Sequence, residues 1–216
     1  MAKQQTKGIC RLCNQHVGKA AMKKHALECT SKHDAGKPTK PAFLMRAEFP
    51  YDKRFWLTFT VDASTTLNSI DGFLRGAWLE CCGHLSEFSI GGKTRKLKDI
   101  LETGIVFGYE YDFGSTTEVL LTVLEEHEVA FGKRSLRLLS INEPIEAMCR
   151  VCGKPATQIC TECYDGQEVE TFCKNHTKTH VKQQHDNDDY MMAVIINSPR
   201  TGVCGYDGPG PEEWDA

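Results

Sequence analysis

Eight residues between Cys149 and His185 combine the chemistry and the spacing of metal ligands. They fall in four pairs: Cys149 with Cys152, Cys160 with Cys163, Cys173 with His176, and His180 with His185. A short C-x2-C or C-x2-H loop delivers two soft donors to one ion, and thiolate with imidazole suits tetrahedral zinc. Eight ligands fill two four-coordinate ions with none left over. No position stays open for a catalytic water, so both sites read as structural. The pairs can share ions in sequence or interleaved, and spacing alone leaves both connectivities open. A third set lies near the N-terminus, where Cys10 and Cys13 form C-x2-C and His25 and Cys29 complete a Cys-Cys-His-Cys site. The expectation is three zinc ions per chain, on twelve ligands.

These ligands need elements to position them. In residues 1–33 the first pair sits on a tight knuckle or hairpin, and a helix over 19–27 places His25 and Cys29 one turn apart on one face. This is close to the spacing of small ββα zinc fingers. Lys19, Lys23 and Lys24 fall in or near the helix, and they are the candidate nucleic-acid contacts. They offer charge but little base readout, because no Arg, Asn or Asp set accompanies them. Folding of so short a segment would draw mostly on zinc, on the order of 10 kcal/mol. His16 and His33 are spare histidines that fit the ligand pattern less well than His25. Residues 34–41, polar and containing Gly36, Pro38 and Pro41, read as a linker.

Residues 42–146 read as strands over 42–49, 54–61, 84–90, 105–113, 117–124 and 135–141, with alternation in 54–61 and 105–113. Leu67, Ile70, Phe73, Leu74, Ala77 and Trp78 recur at helical spacing after Ser64, Thr65 and Thr66, and Leu97, Ile100 and Leu101 mark a second, short helix. The stretch 125–134 reads as a polar excursion between strands. The fold class expected is α+β: a mostly antiparallel sheet with helices on one face, flanked by small zinc-binding modules. Cys81 and Cys82 read as small buried residues, because adjacent cysteines seldom chelate one ion together, with a reactive thiol as the alternative. His84, Glu87 and Asp112 form the only acid–base candidates. The simpler reading has Tyr109, Tyr111 and Phe113 as sheet residues, Asp112 capping a turn at Gly114, and His84 closing a buried hydrogen bond.

Two resemblances add to these readings. The ligand pattern of residues 147–186 resembles the B-box double-zinc module, which implies the interleaved connectivity: the first pair shares an ion with the third, and the second with the fourth. The stretches WLECCGHLSEFSIGG and LKDILETGIVFGYEYDFG resemble the plasmid pRiA ORF-three-like family, also labelled the insertion-element passenger TnpR family, over residues 42–142. The best-matched positions are Trp78, His84, Leu85, Phe88, Tyr109, Tyr111, Asp112, Phe113 and Gly114. That resemblance implies an α+β fold and a mobile-element association. It does not carry a resolvase activity: a serine resolvase clusters arginines around its nucleophile, and Arg46, Arg54, Arg75, Arg95, Arg134 and Arg137 are scattered. The chain also departs from the family's acidic and aromatic positions at Ser115, Thr117 and Val119.

Residues 187–216 begin with DNDD, carry a short apolar run over 190–196, and end in a Gly/Pro-rich tail that retains Arg200, Cys204, Tyr206 and Trp214. A solubilising tail has no use for such residues, so it is expected to fold back on the body or meet a partner. Composition sets the remaining bounds. The chain has 216 residues, 40% apolar and 25% charged, as in an ordinary soluble protein. It has no apolar run near the ~18 residues of a membrane span. Eleven cysteines without an export signal point to a reducing, cytoplasmic setting and to metal ligation. Residues 1–40 hold nine Lys/Arg against two Asp/Glu, and residues 186–216 hold one against seven. The reading that follows is a zinc-binding interaction protein with no assembled catalytic set, contacting nucleic acid through its basic finger. The alternatives are a protein–protein adaptor, or an enzyme centred on His84, Glu87 and Asp112.

Overall fold

A computed structural model describes residues 6–165 and 168–209. Its centre is one eight-stranded, wholly antiparallel sheet in the order β2-β1-β8-β4-β3-β7-β6-β5. The strands are β1 (Lys7–Cys10), β2 (His16–Gly18), β3 (Lys40–Glu48), β4 (Trp56–Asp62), β5 (Ser86–Phe88), β6 (Val106–Tyr111), β7 (Thr117–Val129) and β8 (Leu136–Asn142). A second sheet of three strands, in the order β10-β9-β11, is built from β9 (Gln158–Asp165), β10 (Glu168–Phe172) and β11 (Met192–Val194). The helices are α1 (Met22–His33), α2 (Leu67–Leu74) and α3 (Lys174–Gln184). The α+β class read from the sequence is what the chain adopts. Among the described residues no helix is long and apolar enough to cross a membrane.

Strand alternation sorts the core into two faces. Phe43, Met45 and Ala47 of β3 point to one face, with Leu57 and Phe59 of β4 and Val119, Leu121 and Val123 of β7. α2 covers that face with Leu67, Ile70, Phe73 and Leu74, and continues as a π-helical turn, Arg75–Leu79, which adds Trp78 and Leu79. The intervening Leu44 points to the other face, where it meets Leu139 and Ala26 of α1. The central domain's own helical segment thus lies on one face as expected, while the helix of the N-terminal finger covers part of the other.

The finger is therefore not an appended module. Its hairpin continues the sheet, because β1 pairs with β8 as well as with β2. Gly8 makes this docking possible. A Cβ at that position would lie 2.5 Å from Trp56 Cη2 and 2.8 Å from the Ile141 carbonyl oxygen. Trp56 is wholly buried and donates its indole N–H to Thr6 Oγ1 at 2.7 Å.

The segment expected to be a linker over 34–41 is partly structural. α1 runs to His33, β3 begins at Lys40, and Asp34 between them is buried. Its carboxylate accepts hydrogen bonds from His33 Nδ1 at 2.8 Å, Ala130 N at 2.9 Å and Arg137 Nη1 at 3.1 Å. Burial alone would raise the Asp34 pKa. The hydrogen bond from His33, the Ala130 amide and the Arg137 charge outweigh it and hold the carboxyl below its usual range. The stretch 125–134, read as a polar excursion, contributes its first five residues to β7, where Glu125 to Val129 pair with Leu44 to Lys40. The wider pattern of the sheet overrides local polarity there, since one edge of that stretch faces solvent.

Two outcomes are expected. Gly8→Ala should lower stability by about 1–3 kcal/mol in chemical denaturation, because neither the Trp56 ring nor the Ile141 carbonyl can yield freely. Asp34→Asn should cost about 2–3 kcal/mol at neutral pH by leaving Arg137 without its charge partner. Because the folded pKa of Asp34 is depressed, the wild-type advantage is present above the ordinary carboxylate pKa. It should disappear as pH falls through the lower folded value. Measuring the wild-type minus variant difference against pH checks this.

Candidate metal centres

Four groups of Cys and His side chains, each with its ligand atoms within 4.8 Å of one another, lie among the described residues. The first is Cys10, Cys13, His25 and Cys29. Cys10 ends β1, Cys13 follows on the turn into β2, and α1 presents His25 and Cys29 one turn apart. Cys13 Sγ lies 3.4 Å from His25 Nε2, and Cys10 Sγ lies 3.8 Å from Cys29 Sγ. The spare histidines stand elsewhere: His16 contacts Glu143 at 2.5 Å and His33 contacts Asp34.

The next two groups share the small sheet. Cys149, Cys152, Cys173 and His176 form one, and Cys160, Cys163, His180 and His185 the other. This is the interleaved grouping, first pair with third and second with fourth. The fold reaches it because Cys149 and Cys152 flank a turn hydrogen-bonded to β10, whose end leads into Cys173, the N-cap of α3. Cys160 and Cys163 lie along β9 and face the far end of α3, where His180 and His185 arrive. His176 Nδ1 is 3.3 Å from Cys149 Sγ and 3.4 Å from Cys173 Sγ. His185 Nε2 is 3.4 Å from both Cys160 Sγ and Cys163 Sγ, and 3.2 Å from His180 Nε2. Both rings of that pair turn their other nitrogen toward a carboxylate, His180 toward Glu170 and His185 toward Glu162, at 3.9 and 4.0 Å. At those distances the carboxylates attract the rings by charge but accept no hydrogen bond from them. Phe172 stacks on His180 at 4.2 Å.

Electrostatics in the metal-free side chains show what a cation relieves. Burial, with hydrogen bonds to Cys13 and Cys10, pushes the Cys29 thiol up to about 12. Burial would also raise Cys149, but the amides of Cys173, Cys152 and Val151, with the His176 hydrogen bond, outweigh it and bring that thiol down to about 6. Thiols gathered this closely cannot all ionise unless a cation is bound among them.

The fourth group, Cys81, Cys82, His84 and Cys204, is one the sequence reading missed. Cys82 and Cys204 are exposed and Cys81 is half-buried, so the pair at 81–82 is not the buried filler expected. Cys82 meets His84 Nε2 at 3.0 Å. Hydrogen bonds with Cys81 and Cys204 push the Cys82 thiol up to about 12. His84 does not close a buried hydrogen bond. It stands edge-on to the Tyr111 ring at 5.8 Å, with its Nε2 3.3 Å from Cys204 Sγ. In the sequence, Cys81 and Cys82 do not read as a chelating pair, and Cys204 stands out only as an odd cysteine in a Gly/Pro-rich tail.

That tail folds back. Apolar residues 190–196 supply β11, which joins the small sheet beside β9. Beyond it, Arg200 is completely buried and donates Nη2 to Asp112 Oδ2 at 2.6 Å and Nη1 to Thr117 Oγ1 at 2.9 Å. Its guanidinium lies over the Tyr111 ring, 4.8 Å from the centroid. Asp112, at φ 65°, also caps its turn as expected, accepting from Gly114 N at 3.0 Å. Tyr109 and Tyr111 are buried sheet residues, whereas Phe113 is half exposed and lies outside β6. Tyr206 is buried, and Trp214 lies outside the described residues.

The acid–base triad does not assemble. His84 Nε2 reaches Asp112 Oδ2 at 3.4 Å, but Asp112 is engaged by Arg200. Glu87 is paired with Glu110 in the register that puts Tyr109 and Tyr111 in the core, so both glutamates face the opposite, outer side. The finger lysines are also engaged: Lys19 pairs with Glu48, Lys23 with Glu125 at 2.9 Å, and Lys24 with Glu28 at 3.9 Å.

No family model and no curated protein matches this chain. Among solved structures, the protein of unknown function MM3350 from Methanosarcina mazei Go1 is similar, with a TM-score of 0.43 and 14% sequence identity. The likeness covers 48% of this chain and 70% of that one.

The small sheet has little apolar support, with a core of Cys160, Phe172 and Met191 and the flanking Cys163 and Met192. The large sheet has its own core. Chelation at neutral pH should therefore abolish amide protection in β9, β10 and β11 while β3, β4 and β7 remain protected, as read by hydrogen exchange. Cys160→Ser should produce the same local loss.

Proposed function

We propose that this protein is a zinc-binding interaction protein, in which a rigid antiparallel sheet presents closed, zinc-held modules to a partner. The observation that carries this reading is that every Cys/His group is a complete set of four ligands. Four soft donors satisfy a tetrahedral ion and leave no position for substrate or water, so the metal chemistry is spent on folding. What remains for function is the outer surface of the modules.

A protein partner has the better support. Two of the three finger lysines face carboxylates of the sheet, Lys19 with Glu48 and Lys23 with Glu125, so phosphate would have to displace these partners, while Lys24 stands exposed beside Glu28. The double-zinc module instead exposes apolar side chains: Met148 at 51% and Val151 at 60% beside the first knuckle. Large exposed apolar side chains close together are a feature of contact surfaces. Kinship of residues 42–142 with the pRiA ORF-three-like family is part of the same proposal. In its favour, Trp78, Tyr109, Tyr111 and Asp112, all among its best-matched positions, are buried in the central domain.

Pull-down with the intact protein and with Val151→Asp tests the partner class. Specific capture that is lost in Val151→Asp at unchanged zinc content is expected. Filter binding against duplex and single-stranded nucleic acid at two salt concentrations is expected to show no salt-sensitive affinity. A steep salt dependence that flattens by about one slope unit per lysine replaced at 19, 23 and 24 would establish the nucleic-acid reading in its place. Absence of zinc from the purified protein would end both.

A further inference from the structure

Cys81, Cys82 and His84 sit on the turn that follows the π-helical segment, and Cys204 sits on a turn of the C-terminal segment with φ 51°. Their separations are informative. Cys82 Sγ is 3.7 Å from both Cys81 Sγ and Cys204 Sγ. His84 Nε2 is 3.0 Å from Cys82 Sγ and 3.3 Å from Cys204 Sγ. A disulfide would require about 2.05 Å between sulfurs. Zinc with bonds of about 2.3 Å to sulfur and about 2.05 Å to nitrogen places tetrahedral S···S edges near 3.8 Å and S···N edges near 3.6 Å. The S···S spacings here match tetrahedral edges, as do the 3.8 Å of Cys10–Cys29 and the 3.9 Å of Cys152–Cys173, while the S···N spacings are shorter than such an edge, that of Cys82 with His84 by the most.

The surroundings suit the same ion. Zinc with three thiolates and a neutral imidazole carries one net negative charge. Arg200 answers it, donating Nη2 toward Cys81 Sγ at 3.4 Å while Asp112 holds the guanidinium in place.

We propose that Cys81, Cys82, His84 and Cys204 hold a fourth zinc ion, and that this ion clasps the C-terminal segment onto the central domain. Three ligands come from one turn, and the fourth arrives 120 residues beyond His84. The coordination set is complete only when the tail is seated. Seating uses direct contacts as well: Asn197 exchanges hydrogen bonds with Asn142 at 2.8 Å, Ser198 donates to the Trp78 carbonyl at 2.7 Å, and Arg200 enters its pocket. Cys82 and Cys204 are both exposed, whereas the Cys10 and Cys149 groups have one exposed ligand each and the Cys160 group has none. Loss of Cys204 from the ion leaves three ligands in place and no core disturbed. The fourth ion therefore exchanges fastest, and the tail closes according to zinc supply. The clasp shares with the proposed function only the premise that the chain binds zinc.

Zinc content of the purified chain, with hydrogen exchange of the tail, tests this. Four ions are expected for the wild type, three for Cys204→Ser, and four again for Cys204→His, which restores a ligand. In Cys204→Ser the amides of residues 198–206 should exchange more than about tenfold faster, with β3, β4 and β7 unchanged. A wild-type count of three that falls to two in Cys10→Ser would overturn the clasp and leave the three other sites standing. A count of four unaltered by Cys204→Ser would also overturn it. Retained protection of the large sheet in each variant establishes that a lost ion reflects a lost ligand and not a failure to fold.

Discussion

A guanidinium removed from water has to be met by a carboxylate, and this requirement fixes the path of the C-terminal segment. Arg200 has no solvent exposure, and its pocket is ready-made on the central domain: Asp112 in a left-handed turn, the face of Tyr111, and Thr117 at the start of β7. An unpaired charge at that depth would cost several kcal/mol, so the tail is seated in one place or not at all. Its position then sets two others. β11, a few residues earlier, lies against β9, so the same segment touches both sheets, and Cys204 is delivered to Cys82 and His84.

Metal ligands play different parts along the chain. At the N-terminus the ligand group closes a hairpin and helix that also bury apolar surface, with Met22 and Ala26 packed down and Gly8 allowing β1 to lie over Trp56. That segment is part of the sheet and draws on its core. Among the described residues the small sheet has a smaller core, and two Cys/His groups that could hold metal lie at opposite ends of α3. Cys160 is itself one of the three buried residues at its centre, so thiol and hydrophobe coincide there. His84 is drawn toward thiols, Asp112 toward Arg200, and Glu87 toward the opposite side of the sheet.

Charge was the part of the sequence most open to misreading. The basic N-terminal stretch looks like a polyanion surface when counted along the chain. In the fold, Lys19 and Lys23 meet Glu48 of β3 and Glu125 of β7, residues far away in sequence. Part of the finger's basic charge is thus met by acidic residues of the central domain. The same holds for Asp34, which sits in an apparent linker and answers Arg137 from the far strand β8.

The sequence by itself determined what depends on near neighbours. Twelve candidate ligands were legible because C-x2-C, C-x2-H and one-turn helical spacings place two donors close together through a few bonds. The alternation of Phe55, Leu57, Phe59 and Val61, and the helical stripe from Leu67 to Trp78, declared an α+β domain because periods of 2 and 3.6 are local properties of the backbone. Tertiary structure alone decided which Cys/His pairs come together, that the finger is the edge of a sheet, and that Cys81, Cys82, His84 and Cys204 meet. Contacts across 120 residues leave no periodic trace in the chain. They follow from where a buried charge finds its partner and where two sheets can be joined, and those are settled only when the whole chain packs.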